Sequence, residues 1–309
     1  LLYFRGPVLS HFDGRQWQTG SDEAPMRPSQ QATGLGQAVP YELTLEPHHQ
    51  RWLLTLDATI AQPDLGERRI MGTQDLQWLS LRPVTDVLRY QATAHLHYLY
   101  GQKMPDHLRR IYLRLPDGLN PRTHAWAESL RQTHQKDDTA IIQAALHQLS
   151  TQGYVYTLQP DVVSSPHTAD SFWFDNKNGF CEHIASAFVV LMRAAGIPAR
   201  IVTGYQGGER NPVDGLWTVR QSDAHAWAEV WIANEGWLRI DPTSSVAPER
   251  IEQLQRLAPA GTAFGNAVGQ MISRDMMQRM RANWEALNHR WNDWVLGYTT
   301  SQQTEVLRS

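Results

Sequence analysis

Apolar positions change their spacing part-way along the chain, and the change predicts two kinds of structure. Over roughly the first 118 residues, Tyr41 to Leu45, Trp52 to Ile60 and Tyr90 to Leu99 alternate or are rich in β-branched and aromatic side chains, the pattern of strands. These segments predict a mainly β N-terminal domain over residues 1–118, sandwich or barrel-like. Between them, Ser21 to Pro40 is rich in Gly, Pro, Ser and Gln and reads as an exposed loop. The turn cluster Pro116-Asp117-Gly118-Leu119-Asn120-Pro121 then divides the chain. Beyond it the spacing is helical: Ala125, Trp126 and Leu130, followed by Ile141, Ile142, Ala145, Leu146 and Leu149. Asp137 and Asp138 stand where a helix N-cap is expected, and Gly153 closes that helix. From about residue 270, Met277, Met280, Trp284, Leu287, Trp291, Trp294 and Val295 fall on one helical stripe, which predicts a C-terminal helical extension over residues 251–309. A helix packed on the body is the plain reading of that stripe, although Trp294 and Tyr298 would also suit the belt next to a membrane span.

The region from Asp170 to Pro248 carries the chemistry. After Asn178-Gly179, the apolar residues Ile184, Ala185, Phe188, Leu191, Met192 and Ala195 keep a helical period until Gly196-Ile197-Pro198 stops it. Cys181 therefore belongs to the first turn of a buried helix, where amide N–H groups and the helix dipole favour a thiolate. Alternation in Asp223 to Ile232 places His225, Trp227, Glu229 and Trp231 on one face of a strand. Asn234-Glu235-Gly236 is a turn, and Trp237 to Asp241 is the returning strand. A thiol on a helix tip facing a His and an Asp on a hairpin is an acyl-transfer arrangement: Cys181 as nucleophile, His225 as base and Asp241 orienting the base. The hairpin imposes a condition on this reading. A symmetric even loop would turn Asp241 away from the His225 face, so an odd loop or a bulge is expected between Ile232 and Trp237.

Other residues near the nucleophile carry weaker expectations. The amide of Cys181 is the first oxyanion donor and the indole of Trp173 a candidate second, with a core aromatic as its competing role. Glu182, His183 and Trp227 are candidate substrate-binding positions, and capping and packing serve Glu182 and His183 equally well.

Composition narrows the classes. Lys+Arg 28 against Asp+Glu 31 gives no reason to expect a nucleic-acid partner, and 41% hydrophobic with 19% charged residues is globular. No apolar run approaches the ~18 residues of a membrane span. The chain opens at Leu1-Leu2-Tyr3-Phe4 without Met, and reads as a piece of something longer. A single cysteine excludes an internal disulfide and multi-cysteine metal centres. A zinc site built from Cys181, His225 and Asp241 has acceptable ligand types but no further metal motif, so neither metal nor cofactor is expected. His48-His49 and the pair His95 and His97 read as surface or packing histidines.

Several of these segments together carry a family resemblance. Asn178-Gly179-Phe180-Cys181-Glu182-His183, Arg193 to Arg200, Thr203-Gly204-Tyr205, Ala224-His225-Ala226-Trp227 and Asp241-Pro242-Thr243 resemble the transglutaminase-like core of the papain-like cysteine superfamily in its bacterial inner-membrane form. Arg5 to Leu9, Asp13 to Arg15 with Trp17, and the Trp-rich tail resemble that subgroup's flanks. The resemblance implies an α+β fold, with the Cys-bearing helix packed on an antiparallel sheet in a catalytic domain over residues 119–250. It also implies protein-glutamine γ-glutamyltransferase activity on proteins or peptides, with a glutamine donor, a lysine or other amine acceptor and a thioester intermediate. A periplasmic location follows from it too, with membrane attachment through segments outside this chain and a link to the cell wall or a peptidoglycan-related partner. Two other readings stay open: a cysteine peptidase or amidase using the same thiol, and a non-catalytic cell-wall binding module.

Overall fold

All seven residues of the first strand, β1 (Tyr3–Leu9), are buried, because it lies inside a sheet rather than at its edge. The computed structural model describes residues 2–20 and 32–247. They fall into two units, residues 1–206 with 225–248, and a second unit whose described part is residues 207–224. The first unit is built on a seven-stranded sheet. Its other strands are β2 (Ala32–Leu45), β3 (Thr55–Leu56), β4 (Leu88–Tyr100), β5 (Ala199–Gln206), β6 (Ala224–Ile232) and β7 (Gly236–Ile240), in the spatial order β2-β4-β7-β6-β5-β1-β3.

Tyr41 to Leu45 and Tyr90 to Leu99 are strand as expected, whereas Trp52 to Ile60 is strand only at Trp52–Leu53 and Thr55–Leu56 and turns at Asp57; the strands of residues 1–118 are shared between sheets. Four of them enter the large sheet beside β5, β6 and β7, while Trp52–Leu53, Ile70–Gly72 and Trp78–Ser80 form a smaller one. The N-terminal region is thus mainly β and the whole is α+β. Ala32 to Pro40 corrects the loop expected over Ser21 to Pro40, because these residues are strand and pair with β4 almost throughout. Cross-strand pairing with a strongly β-forming partner overrides their poor propensity, and β2 is a sheet edge, where the missing N–H of Pro40 is tolerated. The expected extension over residues 251–309 lies outside the described residues.

Register in the centre of the sheet depends on close backbone approach. β1 and β5 run antiparallel with a register shift between Arg5 and Val8, where Gly6-Pro7 interrupts the ladder. Gly204 faces that segment, and a Cβ there would lie 1.9 Å from the carbonyl oxygen of Phe4, so only glycine lets the strands meet.

Helices cover the sheet. α1 (Asp106–Leu113), α2 (Pro121–Thr133) and α3 (Asp138–Thr151) follow the strands of the N-terminal region, and Asp137 caps α3 by accepting from the Ala140 amide at 3.1 Å. α4 (Cys181–Ala194) buries ten of its residues, which explains its apolar character on nearly every side. It ends as its sequence predicts: Gly196 takes φ +80, and the Ile197 amide donates back to the Met192 carbonyl at 2.9 Å. In the second unit, Glu209–Arg210 pairs with Trp217–Thr218 as a short hairpin, and Arg220 bridges to Glu209 at 2.7 Å.

Candidate active site

Cys181 is the first residue of α4, after Phe180 in extended conformation, and it is 5% exposed. Just ahead of it, Asn178–Gly179 pairs with Val155–Tyr156, fixing the approach of the chain to the helix tip. The thiol thus stands at the positive end of a 14-residue helix.

The hairpin β6–β7 meets the condition set by its sequence. Its register runs from Ala228 opposite Ile240 to Ile232 opposite Gly236, which leaves residues 233–235 as a three-residue loop. Asn234 at φ +68 and Gly236 at φ +90 make the turn, and a Cβ on Gly236 would lie 2.1 Å from the Tyr100 oxygen on β4. Continued by one pair, this register sets Asp241 opposite Trp227 and on the face that carries His225. The two side chains meet there, with His225 Nε2 2.8 Å from Asp241 Oδ2.

Three further groups donate to the same carboxylate. Tyr3 Oη and Gln206 Nε2 reach Oδ2 at 2.9 and 2.8 Å, and the Thr243 amide reaches Oδ1 at 3.1 Å. Burial alone would raise the Asp241 pKa. The charge and hydrogen bond of His225, then the Tyr3 and Thr243 hydrogen bonds, outweigh it and hold the group below its ordinary value. At His225, burial works to lower the pKa, but the Asp241 charge and hydrogen bond, helped by contact with Cys181, raise it to about 9. The imidazole is therefore charged at neutral pH, with Nε2–H donating to Asp241. Its Nδ1 is buried with no hydrogen-bond partner, and Cys181 lies close enough to act on the ring.

These shifts fix a pH dependence of stability. A folded-state pKa above the unfolded value favours the protonated form, so the contribution of the pair is complete below about pH 6.5 and is lost as the pH rises through about 9. On the acid side, the depressed Asp241 pKa keeps the contribution until the pH falls through that lowered value. Urea unfolding should therefore give a stability difference between wild type and His225→Gln that is largest near pH 6 and shrinks towards pH 9.5. A constant difference would show that the folded protein holds His225 neutral.

Trp173 corrects the expectation of a second oxyanion donor. It is fully buried, and its indole N–H is already used, donating to the Ala187 carbonyl at 3.0 Å. It packs edge-on against Trp126 at 4.9 Å, in the core role that competed with catalysis in the sequence. Trp227 is also fully buried, edge-on to Tyr3 at 5.2 Å and 6.2 Å from the His225 ring, so it backs the imidazole and offers no surface to a substrate. Glu182 and His183 are half-buried beside Cys181, with the His183 ring edge-on to Phe180 at 4.4 Å. His48 stacks on Trp52 at 4.0 Å, and burial, then the neighbouring His49 charge, pushes its pKa down to about 4, as in a neutral packing residue. No cluster of three or more His, Cys, Asp or Glu placed to hold a metal occurs among the described residues.

Tyr3 and Gln206 are the site residues that sequence reasoning missed. Neither lies in a motif with chemical content, and each falls just outside a segment that carries the family resemblance, Tyr3 before Arg5 to Leu9 and Gln206 after Thr203-Gly204-Tyr205.

Comparison with known proteins adds to this geometry. A model of the transglutaminase-like superfamily matches residues 125–242, and a model of the TgpA N-terminal domain matches residues 1–100. A Pseudomonas aeruginosa protein named protein-glutamine gamma-glutamyltransferase is 38% identical over 315 residues, taking in 99% of this chain. The chain spans 46% of the length of that relative. A crystal structure of the periplasmic domain of TgpA from Pseudomonas aeruginosa, 38% identical, superposes with a TM-score of 0.76 over 82% of this chain and 86% of that one. The same domain bound to ethylmercury, 39% identical, gives 0.74 over 82% of this chain and 87% of that one.

Proposed function

The chain belongs to the transglutaminase-like superfamily, in the branch of the TgpA periplasmic domain, and from that premise we propose that it transfers acyl groups from glutamine side chains to amines through a thioester on Cys181. The observation that carries this reading is the buried imidazole of His225, pinned by Asp241 through Nε2 and acted on by Cys181. The Cys181 thiolate attacks the glutamine carboxamide carbon, and the Cys181 amide at the start of α4 receives the developing oxyanion. His225 gives its proton to the departing amide nitrogen, so ammonia leaves and the thioester remains. An amine, such as a lysine side chain, then attacks the thioester. His225 takes the proton of the incoming amine as the thiolate departs, and the thiolate–imidazolium pair is restored. Asp241 stays charged throughout and holds the ring.

Support for glutamine as donor and an amine as acceptor comes from the name of the relative that is 38% identical. The solved relative is a periplasmic domain, and we assign this chain the same compartment, with the membrane reached through segments outside it and cell-wall-associated proteins as the substrate pool. No helix among the described residues is long and apolar enough to cross a membrane.

A peptide with one glutamine, incubated with a labelled primary amine, tests the reaction. One amine should be incorporated for each ammonia released. If only the free acid appears at every amine concentration, the site is an amidase or peptidase and the transfer reading falls.

A further inference from the structure

We infer that Tyr3, together with its cross-strand partner Gln206, is a positioning residue for the base of the thiol, holding Asp241 in line with His225 from the opposite end of the chain. The inference rests on the acyl-transfer reading above. Tyr3 and Gln206 are register partners on β1 and β5, so strand pairing itself delivers both donors to one place. Gln206 Nε2 lies 2.6 Å from Tyr3 Oη and 2.8 Å from Asp241 Oδ2. An amide oxygen in that position would face a carboxylate oxygen at contact distance, so the nitrogen belongs there. An NH2 group can only donate and an ionised carboxylate can only accept. The Tyr3 hydroxyl therefore accepts from Gln206 and must donate to Asp241, at 2.9 Å, with its direction fixed from both sides.

The Tyr3 ring is held as firmly as its hydroxyl. Trp227 packs edge-on against it at 5.2 Å, and the Arg239 guanidinium sits over it at 4.1 Å, itself paired with Asp57. Two neutral donors on Oδ2 do two things for catalysis. They keep the carboxylate from rotating away from Nε2, and they stabilise its charge whether or not the imidazole is protonated. Their removal leaves Asp241 more basic, so the proton on His225 is held more tightly and is given up at higher pH.

Tyr3→Phe isolates the hydroxyl, because the phenyl ring keeps its packing on Trp227 and under Arg239. Acyl transfer should fall about ten-fold in kcat with KM unchanged, as expected for loss of one hydrogen bond to a charged group. A second readout is alkylation of Cys181 by iodoacetate, an anion whose approach the imidazolium favours. Its alkaline limb should move up by about one pH unit in Tyr3→Phe, a shift that a merely structural role would not produce. A wild-type alkaline limb that depends on His225 but is unchanged in Tyr3→Phe overturns this inference alone. A wild-type thiol that titrates in the ordinary range and ignores His225→Gln overturns the acyl-transfer reading and this inference together.

Discussion

Cys181→Ala is expected to lower acyl transfer by roughly 10⁴-fold or more, because the thioester has no other atom on which to form. The fold should survive. The substitution removes one buried sulfur at a helix start and costs about 1 kcal/mol, within ordinary limits for a small core truncation. The chain has a single cysteine, so trapping of a labelled acyl group must fall from one per chain to none. Turnover with the glutamine peptide and far-UV circular dichroism, measured on the same preparation, check both halves. If more than a tenth of the activity remained in well-folded protein, Cys181 would not be the nucleophile.

A second large effect is expected at Glu229, two positions beyond Trp227 on the same strand face as His225. Its carboxylate is 1% exposed and accepts from Arg5 Nη2 at 2.9 Å and Arg200 Nε at 2.8 Å, with Arg5 Nη1 on its other oxygen. Asp75 closes on Arg200, and Asp57 joins Arg5 to the exposed Arg239, so three carboxylates face three guanidinium groups in a network that runs from the buried Arg200 and Arg5 out to the surface. Burial would raise the Glu229 pKa, and the two arginine charges overcome it and drive it down. Glu229→Ala leaves one buried positive charge without compensation, and breaking such a network costs about 3–5 kcal/mol. For a domain of this size that is a Tm lower by roughly 10 °C or more. Urea unfolding and a thermal scan would show it, and a loss below about 1 kcal/mol would mean that water already reaches the arginines.

The contrast between Cys181 and Glu229 explains what was legible beforehand. Periodicity placed Cys181 at the start of α4 and ended that helix at Gly196, because helical spacing and its stop signals are local. The odd loop of the hairpin was legible for a similar reason: it follows from the face that His225 and Asp241 must share, and residues 233–235 supply it. Partners separated by a long stretch of chain leave no such trace. Arg5 sits 224 residues from Glu229 and Tyr3 238 residues from Asp241, and no spacing rule connects them. Trp173 shows the opposite error, since its proximity in sequence to Cys181 suggested chemistry, while the fold uses its indole to brace the Ala187 carbonyl. Ala32 to Pro40 was misread because its strand exists through its partner β4 and not through its own residues.

The long reach of β1 has a consequence for how the protein is made. Synthesis delivers the thiol at residue 181 before the imidazole at 225 and the carboxylate at 241, while Tyr3 must wait for all of them. Until the hairpin of β6 and β7 has joined the sheet, a growing chain carries Cys181 with neither His225 nor Asp241 held in place. The groups around the thiol therefore come together only once β7 has paired with β6, while Tyr3 on β1 reaches Asp241 across β5 and β6.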